Sequence, residues 1–217
     1  MRTLWTFGDS FTFGHGCRPD GPLSEYYYEY KSNDDDLIWP EILSKKLNCD
    51  LVNLGKCGAS NDYIFDTIIE NYSQIKENDF VIVNKTFPQR FDVPNDIRNE
   101  LHSIIAELSI KDKKWDTVFK NLNKSKDEIE TIINFMYHFS GHSLYEKRQD
   151  KRYSFIKSII KCDKYYECKT TEILLSKFED ITEHTKGKII DGHLSFRGHK
   201  QLANYIYSKL YPENNIL

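Results

Sequence analysis

The sequence predicts an α/β fold, with a mostly parallel central sheet and helices on both faces. Three observations predict it. Short apolar runs, each ended by glycine or a polar residue, recur at 4–7, 51–54 and 80–83. Segments with apolar residues at helical spacing lie between and after them. The run Phe80-Val81-Ile82-Val83 is apolar throughout, as a strand covered on both faces requires. The 217 residues suit one domain with a sizeable core, with a helical insertion expected over roughly 92–150.

In chain order, Leu4 to Phe7 reads as a buried strand that Gly8 closes. Residues 14–36 read as a long loop containing Tyr26-Tyr27-Tyr28-Glu29-Tyr30. Leu37 to Leu47 has helical spacing (Ile38, Ile42, Leu43, Leu47), and the aspartates before it suit a helix N-terminus. Leu51 to Leu54 reads as the second strand, closed by Gly55. Gly58 to Asp62 opens a helix with Ile64, Phe65, Ile68 and Ile69 as its stripe and Ser60 or Asn61 as its N-cap. Asp79 to Val83 is the third strand. Residues 96–110 and 125–139 have helical spacing, as does Tyr153 to Ile160. A fourth strand is expected near 165–176, and Leu202 to Leu210 reads as the closing helix. No internal repeat or low-complexity linker interrupts this order.

Composition limits the function classes. A formal charge of −3 gives no electrostatic footprint for nucleic acid. No apolar run reaches membrane-span or signal-peptide form, so the reading is a cytoplasmic protein with no membrane partner. Five cysteines at irregular spacing fit neither a disulfide framework nor a zinc site and read as reduced thiols. His138 and His142 with Cys162 and Cys168 form no metal set. Gly14 and Gly16 lack the phosphate-loop pattern. No metal or cofactor is expected, and the sequence leaves the oligomeric state open.

Parallel sheets place ligands outside the carboxyl ends of their strands. Gly8-Asp9-Ser10, Gly55 to Asn61 and the residues after Val83 all fall on that edge. A serine hydroxyl needs a base within hydrogen-bond reach, and the base needs a third group to fix its tautomer. Asp191-Gly192-His193, just before the last helix, contains both residue types.

Together these blocks resemble the SGNH (GDSL-type) hydrolase family. The resemblance rests on Gly8-Asp9-Ser10-Phe11-Thr12, on Asn53-Leu54-Gly55 through Gly58-Ala59-Ser60-Asn61-Asp62, and on Asp191-Gly192-His193 with Gly198-His199. It spans nearly the whole chain. It implies a three-layer, flavodoxin-like α/β/α fold and hydrolysis of a carboxylic ester, an O-acetyl or short acyl group on a carbohydrate-like substrate. It implies Ser10 as nucleophile, His193 as base and acid, Asp191 as the group orienting the imidazole, and oxyanion donors on the backbones of Ser10 and Gly58. The family's Gly-x-Asn-Asp block after the third strand is absent, and its Asp-x-x-His is here Asp-x-His. Asn84, Thr86 or Asn61 are the candidate third donors, Arg90 a candidate for an anionic substrate group, and Tyr27 a candidate pocket wall. The tyrosine cluster reads more readily as packing for its loop; His15 reads as a surface histidine, with lining the mouth of the site as the alternative, and His199 as structural. An acyltransferase with the same serine and a non-catalytic glycan- or protein-binding module are the competing readings.

Overall fold

The computed structural model describes residues 1–18, 37–88, 90–95, 100–105, 142–184 and 192–215, with isolated positions between 125 and 134. Its central sheet contains β1 (Thr3–Gly8), β2 (Asp50–Gly55), β3 (Phe80–Lys85) and β6 (Lys164–Lys169). All pairs are parallel, in the order β2-β1-β3-β6. Gly8 stands opposite Gly55, and Asn84 opposite Cys168, so the strand exits align along one edge.

The strands alternate between two cores because successive side chains point to opposite faces. Leu4, Phe80 and Ile82 pack with helices α2 (Trp39–Leu47) and α7 (Phe196–Leu210) on one face. Trp5, Phe7, Val81 and Val83 pack on the other with α3 (Asn61–Asn71) and α4 (His142–Ile159). Phe80 through Val83 are wholly buried, as their unbroken apolar run requires. The result is the expected α/β/α layering. At the opposite edge Asp79 accepts from Thr3 N at 2.8 Å and Trp5 Nε1 at 3.0 Å, pinning β1 to β3. Asp62 accepts from Gln149 Nε2 at 3.1 Å and from Arg152, tying α3 to α4.

Two short helices flank the closing segment, α5 (Thr170–Leu175) and α6 (Ile181–His184). Residues 100–105 differ from the helical spacing read over 96–110. They form β5 (Glu100–Ile105), antiparallel to β4 (Arg90–Asn95), with Ile104 opposite Phe91 and Ile105 opposite Arg90. A cross-strand partner and the β-branched pair Ile104-Ile105 outweigh the three-and-four spacing. Of the helix expected over 125–139, Asp127, Glu128, Glu130, Thr131 and Asn134 are described and helical. Ser125 and Glu128 cap its start, Ser125 N donating to Glu128 Oε2 at 2.8 Å. The expected fourth strand is β6, and it ends sooner than expected, where Thr170 begins α5.

Candidate active site

The order β2-β1-β3 makes the carboxyl end of β1 the point where strand order reverses, the usual place for a ligand crevice in an open parallel sheet. There the chain turns sharply out of Gly8 into α1 (Ser10–Phe13), a single turn. A Cβ on Gly8 would meet Thr12 and come within 2.9 Å of Asn84 Cβ, so the corner accepts only glycine without rearrangement. Asp9 caps α1, accepting from Phe11 N at 3.1 Å.

Asp9 is completely buried and fully coordinated. Its Oδ1 also accepts from Asn84 Nδ2 at 3.1 Å. Its Oδ2 accepts from Thr86 Oγ1 at 2.7 Å and Thr170 Oγ1 at 2.9 Å, with an Arg90 guanidinium nitrogen 3.8 Å away. One carboxylate therefore joins the exits of β1, β3 and β6. A buried charge is tolerable only with such a shell.

With Asp9 held inward, Ser10 follows as the first residue of α1, only 6% exposed. Its Oγ lies 2.7 Å from His193 Nε2, a contact between residues 183 positions apart. The imidazole packs against two rings, Phe11 at 4.9 Å and His15 at 4.2 Å between centroids, both tilted to it. Its loop is bound on both sides: His193 O accepts from Ile181 N at 2.7 Å, and Ser195 N donates to Glu179 O at 3.1 Å. Ser195 caps α7 by accepting from Gly198 N at 3.1 Å and donates its own proton to Glu179 Oε1 at 2.7 Å. The chain thus presents a hydroxyl and an imidazole at hydrogen-bond distance, both seated by buried neighbours.

Comparison with family models gives no match, and comparison with curated proteins gives none. Among solved structures the chain is similar to a protein assigned to the G-D-S-L lipolytic family from Desulfitobacterium hafniense DCB-2. Identity is 14%, covering 95% of this chain and 98% of that one, with a TM-score of 0.34. It is also similar to a G-D-S-L lipolytic family member from Veillonella parvula DSM 2008. There identity is 17%, coverage 98% and 99%, and the TM-score 0.35.

The remaining candidates sort by what their atoms already bind. Asn84 Nδ2 donates to Asp9 and to Thr170 Oγ1 at 3.2 Å. Thr86 gives its hydroxyl proton to Asp9. Asn61 Nδ2 donates to Thr86 O at 3.0 Å and Phe87 O at 3.5 Å, and its Oδ1 accepts from Thr86 N at 3.0 Å. The side-chain donors of all three are spent inside this network. Gly58 is exposed at φ +78°, third in a turn that Ala59 N closes on Lys56 O at 3.1 Å. That positive φ suits glycine. Lys56 N in turn donates to Gly8 O at 3.0 Å, so the turn starts beside the serine's corner. Arg90 donates to Ala59 O at 3.1 Å and its side chain is 12% exposed. Burial lowers its pKa and Asp9 opposes the shift, yet a guanidinium stays charged. Asp191 and Tyr27 lie outside the described residues.

His199 is buried and accepts from Trp39 N at Nδ1, 3.3 Å away. Burial, helped by the nearby His193, pulls its pKa down to about 3, so it remains a neutral acceptor. Two features extend the sequence reading. Thr170 belongs to the Asp9 shell, but it lies within the range 165–176 expected to be strand and instead begins α5. His15 packs tilted against His193 and its Nδ1 lies 3.6 Å from Cys57 Sγ; only its closeness to Ser10 in the chain pointed there.

A cavity of about 230 Å³ opens on the β3–β6 side of the same edge, lined by Asn61, Lys85, Thr86, Phe87 and Gln149 among others. Ser10 and His193 do not line it. Among the described residues no helix is long and apolar enough to cross a membrane.

Proposed function

We propose that this chain is a serine esterase that removes an O-acetyl or other short acyl group from a carbohydrate-like substrate. The observation that carries the reading is the 2.7 Å contact between Ser10 Oγ and His193 Nε2. A serine hydroxyl is a weak nucleophile until a base takes its proton. In this reading Oγ attacks the ester carbonyl carbon while Nε2 accepts the hydroxyl proton. The carbonyl π electrons move to oxygen, and the N–H groups of Ser10 and Gly58 stabilise the oxyanion. As the oxyanion collapses, the carbon–alkoxy bond breaks and His193 returns the proton to the leaving alcohol. Water, deprotonated by the same imidazole, then attacks the acyl-enzyme carbonyl; as that oxyanion collapses the Ser10 Oγ–carbon bond breaks, His193 returns the proton to Oγ, and the acid is released with the serine restored. Asp191 is assigned to the other ring nitrogen on the strength of the sequence motif. The rings of Phe11 and His15 pack against the imidazole.

Parent protein is expected to hydrolyse p-nitrophenyl acetate, and Ser10→Ala and His193→Gln to lower kcat by about 10³-fold or more. Ser10→Ala turnover at the parent rate would remove the reading.

One observation favours a second reading, a non-catalytic binding module on the same fold. The three side chains that could complete an oxyanion hole have their donors committed elsewhere, Asn84 and Thr86 to Asp9 and Asn61 to the backbone at Thr86 and Phe87. The esterase reading answers this with a hole built from backbone donors.

A further inference from the structure

We propose that Arg90 and Asp92, on the first strand of the β4–β5 hairpin, are positioning residues that clamp the Gly58 turn and so aim its N–H at the reacting carbonyl. The inference rests on the esterase reading. It replaces the expectation that Arg90 binds an anionic substrate group.

Arg90 and Asp92 are two apart on β4, so their side chains leave the same face of the strand. Each takes hold of one of the two residues that follow Gly58. Arg90 Nη1 donates to Ala59 O at 3.1 Å. Asp92 Oδ2 accepts from Ser60 Oγ at 2.6 Å. The same Ser60 Oγ accepts from Tyr63 N at 3.0 Å, which starts α3, so one hydroxyl serves as both cap and clamp without conflict. The Arg90 nitrogen that grips Ala59 also lies 3.8 Å from Asp9 Oδ2. A single guanidinium therefore spans the turn that carries Gly58 and the carboxylate that seats Ser10.

Gly58 itself has little to hold it. A Cβ placed there would have nothing within 4 Å, and its backbone is exposed. Its orientation depends on what fixes the residues beside it. An arginine meant for a substrate anion would offer its donors outward. This one is nearly buried, lies over the Phe87 ring at 5.6 Å and faces Asp9 and Ala59. A misplacement of roughly 1 Å in a catalytic donor lowers the rate about 10²-fold, so a clamp of this kind acts on kcat.

The test uses the full chain with Arg90→Met, Asp92→Ala and Asp92→Asn. Each is assayed on neutral p-nitrophenyl acetate and anionic mono-p-nitrophenyl succinate, with amide hydrogen exchange followed over residues 55–62. Arg90→Met and Asp92→Ala should lower kcat about 10- to 100-fold on both esters at near-constant KM, and should speed exchange across 55–62 while β1 and α7 keep parent protection. Asp92→Asn retains an acceptor for Ser60 and should stay near parent in both readouts. Unchanged exchange in both disruptive variants would overturn the clamp, as would a KM increase confined to the succinate ester. If Arg90→Met does not fold, Asp92→Ala against Asp92→Asn decides alone. Parent protein inactive on both esters would remove the esterase reading, and the exchange data would still decide whether β4 holds the turn.

Discussion

At the scale of single residues the site is organised from below by Asp9. The carboxylate takes donors from Phe11, Asn84, Thr86 and Thr170, and every one of those donors is buried. Asn in its place would keep the shape but turn one end into a donor facing other donors. Asp9→Asn is therefore expected to destabilise the fold by about 3 kcal/mol, read as a lower urea midpoint at unchanged slope. An unchanged midpoint would show that Asp9 merely occupies space. The position of Asp9 right after Gly8 is plain in the sequence. Its reach to Thr170, 161 positions away, is not, because no local pattern marks which hydroxyl a buried carboxylate will collect. The oxyanion candidates show the same limit. Asn84, Thr86 and Asn61 all come to the right edge, but only the folded contacts show that their donors serve Asp9 and the Thr86 backbone instead.

At the scale of elements, legibility followed the apolar runs and helical spacing. β1, β2 and β3, and helices α2, α3 and α7, stand close to where apolar runs and helical spacing put them. β6 was hard to place because its sequence, Lys164-Tyr-Tyr-Glu-Cys-Lys169, has no apolar run; among its residues only Cys168 is buried. The strand 100–105 was misread because its partner β4 lies outside the window from which periodicity is judged. Helix α7 carries the clearest element-level consequence. Its cap, Ser195, lies two residues after His193 and binds both Gly198 N and Glu179. Ser195→Ala is expected to destabilise by about 1–2 kcal/mol and to lower kcat with it, since the loop that seats His193 loses an anchor. Thermal unfolding and p-nitrophenyl acetate kinetics on the same samples check both; a lower Tm with parent kcat would confine Ser195 to stability.

At the scale of the molecule, two cores on either side of one sheet hold an edge where chain ends far apart in sequence meet. Ser10 belongs to the first strand's exit and His193 to the last helix's approach, and the sheet between them sets their separation. His199 ties this arrangement to pH. It is neutral in the core, where it accepts from Trp39 N, and its pKa falls to about 3 from the ordinary 6.5. Between those values the unfolded chain binds a proton that the folded chain refuses. The stability this group contributes is present above pH 6.5 and is lost as pH falls toward 3. Once well below pH 6.5 the loss approaches about 1.4 kcal/mol per unit of pH. Urea unfolding of parent and His199→Gln at pH 7, 6 and 5 measures it: the parent should weaken more steeply with acid than the variant. Parallel curves would mean that His199 titrates alike in both states.

The central claim is that Ser10 is activated by His193, and covalent capture tests it most directly. Parent protein treated with a fluorophosphonate, digested and mapped by mass spectrometry should carry one adduct, on Ser10. His193→Gln should label about 10³-fold more slowly while folding as the parent does. A folded parent that takes no label at Ser10, or a His193→Gln variant that labels there at the parent rate, would contradict the account.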